Sequence, residues 1–325
     1  MLTTGLTALA MAVSQAAATP TAASEIEAPG PSGALRGTML RPAGAAALVL
    51  IIPGSGPTDR DGNSPLGVAA APYRQLAEGL AARGIATVRI DKRGMFGSAS
   101  ATADANAVTI ADYADDVHGW VKAVRSHTGA RCVWLLGHSE GGLVALAAAQ
   151  RPDGICGLIL VAAPGRKVGT VMREQLRANP ANAPLLDEAM AAIDSLEAGR
   201  RVEAAALHPA LQPLFAPQVQ GFVISLFSYD PAELVGRVGK PVLIVQGQRD
   251  LQVAEADARR LAAADPRAKL VLLPGVNHVL KAVASDDRAA NLATYADPAL
   301  PIAPSVVGTI ADFILSAGPG RVRQP

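Results

Sequence analysis

The clearest chemical signal in the chain is the pentapeptide GHSEG at 137–141. An apolar, strand-like run precedes it, and a helical segment of small residues follows at 143–150. A serine becomes an accessible nucleophile when a sharp strand-to-helix turn lifts its oxygen clear of the sheet. Glycines two residues to either side let the strained backbone pass without Cβ clashes. We therefore predict that Ser139 is a catalytic nucleophile.

Serine chemistry also needs a base that takes the hydroxyl proton and an acid that orients the base. Among the five histidines, His278 lies in a loop that directly follows a predicted strand at 269–273. Loops at the carboxyl ends of parallel strands are where catalytic groups collect. Asp250 is the only acid in the loop after another predicted strand, at 242–245. We predict His278 as the base and Asp250 as its partner; Asp250 is also placed to cap a helix at 253–264.

Attack on a carbonyl further requires N–H groups that stabilise the negative charge developing on its oxygen. The backbone N–H of Glu140, the residue after the serine, is one predicted donor. The second is expected from the loop at 53–57, where Ser55 is the positional candidate. This loop contains Gly-Ser-Gly after a strand, as a dinucleotide-binding loop would, but it lacks the third glycine and a following helix. We therefore predict an oxyanion hole formed by Ser55 and Glu140.

These residues require a scaffold in which several strand ends meet. From residue 33 onward, short apolar runs alternate with longer helical patterns. The predicted strands lie at 46–52, 86–90, 132–136, 155–162, 242–245 and 269–273. Strands that alternate with helices of this length predict βαβ units, and hence an α/β fold with a mostly parallel central sheet and flanking helices.

One interval, 165–238, has helical patterns but no convincing strand. We interpret it as a helical cap inserted into a core that comprises 33–164 and 239–320. The interval holds four of the eleven aromatic residues of the chain. Two of them, Phe222 and Phe227, are predicted to bind an apolar group of a substrate. The alternative is a helical layer that packs only on itself.

The composition argues against several classes of function. With 29 basic and 28 acidic residues, the chain lacks the excess charge expected for binding nucleic acid or an anionic membrane. No three His, Asp or Glu side chains occur at metal-ligand spacing, so we expect no metal. The cysteines Cys132 and Cys156 start predicted neighbouring strands. We do not expect them to be bridged, because adjacent parallel strands seldom satisfy disulfide geometry.

The first residues favour export from the cell. An apolar run at 6–13 is followed by three alanines at 16–18, a pattern that a signal peptidase accepts. The run is too short to span a bilayer. A basic segment is missing, since the first positive charge is Arg36. We predict a signal peptide at 1–18, a linker at 19–32 and a periplasmic or secreted protein; the alternative is a disordered tail on a cytoplasmic protein.

From residue 46 to residue 315, the chain resembles the α/β-hydrolase superfamily, and within it bacterial esterases that group with serine-aminopeptidase-like hydrolases. The resemblance rests on GSGPTDRDGN at 54–63, DKRG at 91–94, GHSEGG at 137–142, QGQRD at 246–250 and NH at 277–278. The order Ser139, Asp250, His278 is also that of α/β-hydrolases. The family usually has His-Gly where this chain has Pro53-Gly54. This difference bears on the assignment of Ser55 as an oxyanion donor, and it does not affect the assignments of Ser139, Asp250 and His278.

The resemblance implies ester hydrolysis through an acyl-enzyme, without a metal or an organic cofactor. We therefore predict a serine carboxylesterase that acts on small esters with a short-to-medium acyl or small apolar group. The nearer alternative is an aminopeptidase-like serine peptidase, which needs a cap carboxylate such as Glu174, Glu197 or Glu233 to hold a substrate amino terminus. A non-catalytic scaffold is the other alternative, and the oligomeric state stays open.

Overall fold

A computed structural model of the protein describes residues 22–317. Eight strands form one sheet in the order β1-β2-β4-β3-β5-β6-β7-β8. The strands are β1 (Ala23–Pro29), β2 (Ala34–Leu40), β3 (Ala47–Ile52), β4 (Ile85–Ile90), β5 (Val133–His138), β6 (Ile155–Val161), β7 (Val242–Gly247) and β8 (Lys269–Leu273). β2 runs antiparallel to both β1 and β4, and the other five pairings are parallel. The predicted α/β fold with a mostly parallel sheet is confirmed.

Helices cover both faces of the sheet. The α-helices of the described residues, including those of the cap, are α1 (Pro72–Ala82), α2 (Ile110–Thr128), α3 (Glu140–Ala148), α4 (Val168–Ala178), α5 (Leu186–Glu197), α6 (Pro217–Phe227), α7 (Pro231–Gly236), α8 (Glu255–Ala264), α9 (Arg288–Ala293) and α10 (Pro304–Ala317). Successive strand residues point to opposite faces. Accordingly, Leu50 joins a buried cluster with α2, α3 and α8, whereas Ile51 joins a second cluster with α1 and α10. Among residues 22–317, no helix is long and apolar enough to cross a membrane.

The segment predicted as a linker contains a strand. β1 forms the edge of the sheet and pairs along its whole length with β2. Only Ile26 and Ala28 of β1 are buried. Two alternating apolar residues are too short a pattern to predict a strand, so the sequence analysis assigned this segment to a linker. Within the described residues, the sheet therefore includes residues 23–29 of the segment predicted as a linker. The predicted signal peptide at 1–18 lies outside the described residues.

The chain between β6 and β7 is helical. In the described structure it contains α4, α5, α6 and α7 together with short 3-10 turns, and no strand. Its helices share an apolar cluster that includes Ile193, Leu196 and Phe215. The cap thus has a small core of its own, separate from the two clusters that flank the sheet.

Cys132 and Cys156 form a disulfide, with their Cα atoms 5.2 Å apart. The expectation that they stay unbridged is therefore wrong. The reason is a register shift between Val133 and Trp134, which leaves Cys156 as the extra residue of a bulge in β6. A bulge redirects the side chain of the extra residue, so the geometry of a regular parallel ladder does not apply here.

Candidate active site

Ser139 occupies a strained turn between β5 and α3. Its backbone has φ 54° and ψ −126°, which an L-residue adopts only at an energetic cost. The flanking glycines are required sterically. A Cβ at Gly137 would lie 2.2 Å from the carbonyl oxygen of Gly141, and one at Gly141 would lie 2.3 Å from that of Ile52. The turn predicted from the pentapeptide is therefore present, and it leaves Ser139 half-buried at the end of β5.

Asp250 and His278 meet at the neighbouring strand ends. Asp250 Oδ2 lies 2.8 Å from Nδ1 of His278, and the two side chains are 1 % and 6 % exposed. The other carboxylate oxygen, Oδ1, accepts the backbone N–H groups of Gln252 at 2.7 Å and Val253 at 2.9 Å. Because a carboxylate only accepts, His278 Nδ1 carries the proton of this pair and Nε2 is the nitrogen available as a base.

Burial disfavours the charged form of Asp250, yet its pKa is below the ordinary value. The charge and hydrogen bond of His278 lower the pKa, and the two backbone N–H donors add to this effect. Asp250 therefore remains ionised and places a negative charge beside Nδ1 of His278. Ser139 Oγ and His278 Nε2 form no hydrogen bond with each other in the structure. Such contacts commonly tighten only when substrate binds.

Gln246 is a polar residue near the site to which the sequence analysis gave no role of its own. It is completely buried at the end of β7. Its side-chain amide donates to Asp250 Oδ2 at 3.2 Å and to the carbonyl of Val253 at 3.0 Å. Gln246 thus positions the carboxylate that contacts His278. The signals for it in the sequence are its place directly after the apolar run at 242–245 and at the start of the motif QGQRD.

His138, also not assigned a role from the sequence, links the turn of Ser139 to the loop of His278. Its Nε2 lies 2.8 Å from the His278 carbonyl oxygen, and its Nδ1 lies 2.9 Å from the hydroxyl of Tyr73. Since the carbonyl only accepts, Nε2 must donate, and Nδ1 must accept from Tyr73. Burial lowers the pKa of His138 to about 3, so the ring is neutral at ordinary pH.

A cavity of about 180 Å³ opens between the sheet and the cap at Ser139. Ser55, Ser139 and Glu140 line it together, so the predicted nucleophile and both predicted oxyanion donors share one space. The rest of the lining is mainly apolar and comprises Leu143, Pro164, Val168, Val171, Met172, Leu226 and Val253, with Gln175 and Gln252 as further polar members. This lining suits an apolar group attached to a polar reacting centre.

Leu226, and neither of the predicted phenylalanines, is the α6 side chain at this cavity. Phe227 is 3 % exposed and packs into the apolar cluster of the cap. The rings of Phe222 and Tyr113 pack edge to face, with centroids 6.1 Å apart. Adjacent helical residues point about 100° apart, so Phe227 faces away when Leu226 faces the cavity. The two aromatics therefore hold α6 in place instead of lining the cavity.

The loop after β3 lies against the turn of Ser139. A Cβ at Gly54 would lie 3.2 Å from Ser139 Cβ. The peptide between Gly54 and Ser55 is thus next to the side chain of Ser139. The N–H groups of Ser55 and Glu140 are not used by any hydrogen bond within residues 22–317. Both are therefore free to donate to a developing oxyanion.

The cap carboxylates that a peptidase would require are engaged elsewhere. Glu174 pairs with Arg166 and Glu197 with Arg173. Glu233 on α7 lies 3.5 Å from Arg237, the residue that follows the helix. None of the three lines the cavity at Ser139. In the described part of the chain, no group of three His, Cys, Asp or Glu side chains could hold a metal ion.

A larger cavity of about 500 Å³ lies at the opposite edge of the sheet. It is bordered by the disulfide and by the ends of α2 and α10. None of the residues singled out for chemistry lines it, and the strained serine turn opens at the other edge. The smaller cavity at Ser139 is therefore the candidate active site.

The fold and the turn of Ser139 define an α/β hydrolase, and comparison with known proteins agrees. Residues 48–294 match the family described as "Alpha/beta hydrolase family", and the chain belongs to that family. Esterase EstD of Thermotoga maritima is 26 % identical over 248 residues, which make up 75 % of this chain and 57 % of that protein. The chain thus spans a little over half the length of this relative.

Solved structures with the same fold cover nearly the whole chain. The α/β hydrolase GrgF from Penicillium sp. sh18 has a TM-score of 0.60 and 21 % identity, over 91 % of this chain and 99 % of its own. The Pyrococcus furiosus esterase Pf2001 has a TM-score of 0.57 and 16 % identity, over 92 % of this chain and 94 % of its own. At these identities the likeness establishes a common fold.

Proposed function

We propose that the protein is a serine carboxylesterase with Ser139 as nucleophile, His278 as base and Asp250 as the partner of His278. The observation that carries the proposal is the Asp250–His278 hydrogen bond at the same sheet edge as the strained turn of Ser139. The likeness to esterase EstD supports the choice of ester hydrolysis over other reactions of the fold. Fold alone would not suffice, because one fold serves many reactions.

In the proposed reaction, Ser139 Oγ attacks the ester carbonyl while His278 Nε2 takes the hydroxyl proton. Asp250 accepts the Nδ1–H and stabilises the imidazolium that forms. The N–H groups of Ser55 and Glu140 hold the oxyanion. The tetrahedral intermediate then collapses, the imidazolium protonates the leaving alcohol, and an acyl-enzyme remains. His278 next activates a water molecule, which attacks the acyl carbon and releases the acid and Ser139.

The substrate proposed is a small-molecule ester with an apolar, short-to-medium acyl or alcohol group. The support for this is the aliphatic lining of the cavity, with Val171, Met172 and Leu226 on the cap side. The pairing of Glu174, Glu197 and Glu233 with arginines supports ester over amino-terminal peptide substrates, because none of these three carboxylates lines the cavity to hold an ammonium group.

Hydrolysis of p-nitrophenyl esters of increasing acyl length tests the proposal. We expect turnover in the wild type, its loss in Ser139→Ala, and full activity in Ser316→Ala, an exposed serine on α10. Activity that survives in Ser139→Ala would contradict the assignment of the nucleophile. Faster release of amino-acid anilides than of esters would favour the peptidase instead.

We also propose that the protein works in an oxidising compartment, as a periplasmic or secreted enzyme. The Cys132–Cys156 disulfide supports this, since disulfides persist mainly outside the reducing cytoplasm. Fractionation of cells that express the full chain tests the proposal. We expect the protein to be recovered in the periplasm or medium, with both cysteines resistant to alkylation because they form the disulfide. Recovery in the cytoplasm with free thiols would contradict the proposal.

A further inference from the structure

Lys92 is a buried cation next to the proposed oxyanion hole. Its side chain is 4 % exposed, and Nζ donates a 2.6 Å hydrogen bond to the carbonyl oxygen of Gly54. Nζ also lies 5.5 Å from the ring centroid of Tyr113, within the range of a cation–π contact. Burial lowers the pKa of the Lys92 ammonium, and the nearby Glu140 opposes that shift. Burying an ammonium group costs free energy unless its partners compensate, so the contacts of Lys92 indicate its role.

The carbonyl that Lys92 contacts belongs to the same peptide unit as the N–H of Ser55. In a planar trans peptide the C=O and the following N–H point in opposite directions, and residues 22–317 contain no cis peptide bond. A cation that holds the Gly54 carbonyl from behind therefore directs the Ser55 N–H away from itself. A charge at the carbonyl also polarises the peptide and strengthens the N–H as a donor.

Gly54 is held from its other side as well. Its own N–H donates to the hydroxyl of Tyr73 at 3.1 Å. That hydroxyl contacts His138, the residue before Ser139, at 2.9 Å. Both peptides that flank Gly54 are thus held by buried side chains, so the loop at Ser55 cannot rotate without breaking one of them.

Lys92 also contacts Glu140, the residue that carries the other proposed donor. Nζ lies 3.8 Å from Oε1 of Glu140. Glu140 is 6 % exposed, and its Oε1 has no hydrogen-bond partner in the described chain. The backbone N–H of the same residue is the second proposed oxyanion donor. One ammonium group therefore contacts Glu140, which carries one proposed donor, and the peptide unit that carries the other, although Gly54, Lys92 and Glu140 lie far apart in the sequence.

We propose that Lys92 is the positioning residue of the oxyanion hole: it fixes the Gly54–Ser55 peptide and the start of α3 so that both N–H groups point at the ester oxygen. This inference rests on the proposed esterase function. It assigns Lys92 no contact with the substrate and no proton transfer. Its effect is expected in the transition state, where the oxygen becomes negative, and not in substrate binding.

Lys92→Met removes the charge and the donor while keeping the side-chain length. Loss of one oxyanion donor lowers kcat by about 10²–10³, so we expect misorientation to lower kcat by about 10- to 100-fold. KM should stay within about 2-fold, since ground-state binding is unchanged. The inhibition constant of an alkyl trifluoromethyl ketone, whose serine adduct carries an oxyanion, should rise by the same factor as kcat falls. All rates are taken per active site titrated with a phosphonate.

Loss of Lys92 also leaves the Glu140 carboxylate buried without its partner, which by itself would destabilise the protein. The double variant Lys92→Met/Glu140→Gln separates the two effects. We expect its thermal midpoint to recover relative to Lys92→Met, while kcat stays low because the Gly54 carbonyl still lacks its donor. Recovery of kcat together with stability would overturn the proposal.

Arg93→Met is the matched control. Arg93 is the adjacent, partly buried cation, but it pairs with Asp112 and Asp116 on α2, away from the hole. We expect a lower thermal midpoint and an unchanged kcat per titrated site. If Lys92→Met behaves like this control, with unchanged kcat and inhibitor affinity, Lys92 is only structural and the proposal is wrong. An inactive wild type, or an active Ser139→Ala, would instead overturn the esterase function, and this inference with it.

Discussion

His138 Nε2 donates a 2.8 Å hydrogen bond to the backbone carbonyl of His278, and the two rings lie 4.7 Å apart. This contact joins the residue before the proposed nucleophile to the proposed base itself. The loop of His278 is therefore held to the turn of Ser139 by a second histidine that takes no part in the proposed proton transfers. Such an arrangement positions a catalytic ring through packing and one directed bond.

The buried His138 makes stability depend on pH. Its pKa is about 3 in the folded protein against an ordinary 6.5, so between these values the unfolded chain binds more protons. The free energy of unfolding therefore falls as the pH falls through this window. We expect His138 alone to account for a loss of about 2 kcal/mol between pH 7 and pH 5. Urea unfolding at both pH values measures it.

The comparison uses His138→Gln, whose amide can still donate to the His278 carbonyl and accept from Tyr73. This variant should lose about 2 kcal/mol less than the wild type over the same interval. His127→Gln, an exposed histidine at the end of α2, should match the wild type. Equal pH dependence in His138→Gln and the wild type would show that His138 does not titrate as argued.

Replacement of Asp250 by asparagine should abolish most activity without unfolding the protein. The asparagine oxygen can still accept the N–H groups of Gln252 and Val253, but its amide no longer holds the Nδ1–H tautomer of His278. We expect kcat to fall by about 10³- to 10⁴-fold with little change in KM. Steady-state kinetics check this, with Asp312→Asn, an exposed residue on α10, as the control. A decrease in kcat of less than 10-fold would contradict the role proposed for Asp250.

The size of the cavity should set the preferred acyl length. Val171 on α4 lines the cavity, whereas the neighbouring Thr170 is exposed and does not. Val171→Phe should lower kcat/KM for p-nitrophenyl octanoate by about 10-fold or more and leave the acetate within about 2-fold. Thr170→Phe adds similar bulk outside the cavity and should change neither. The same acyl-length profile in both variants would mean that the acyl group binds elsewhere.

The disulfide should contribute to stability and not to catalysis. It closes a separation of 24 residues, for which loop entropy predicts about 3.5 kcal/mol. It also lies before β5, roughly 20 Å along the strand from the turn of Ser139. We expect Cys132→Ala/Cys156→Ala to lower the free energy of unfolding by about that amount, as measured in urea, and to leave kcat unchanged. Equal stability of the variant and the oxidised wild type would contradict this account.

Local sequence determined much about this protein. The turn of Ser139 depends on glycines within two residues of it, so five residues were enough to predict the backbone geometry. The positions of Asp250 and His278 followed from a rule that is equally local, because each lies in the loop after an apolar strand. The parallel sheet was predictable for the same reason, since its strands are buried on both faces and appear as continuous apolar runs.

Tertiary structure decided the rest. The sequence placed the aromatics of α6 in the cap, but only packing decided that Leu226 faces the cavity and Phe227 the cap interior. A one-residue register shift brought Cys132 and Cys156 together, and no spacing reveals such a shift. Lys92, Gly54 and Glu140 follow three different strands, and their contact depends on strand order and side-chain burial. Long-range contacts of this kind arise from the way distant elements pack, which residue types and spacing within one segment do not specify.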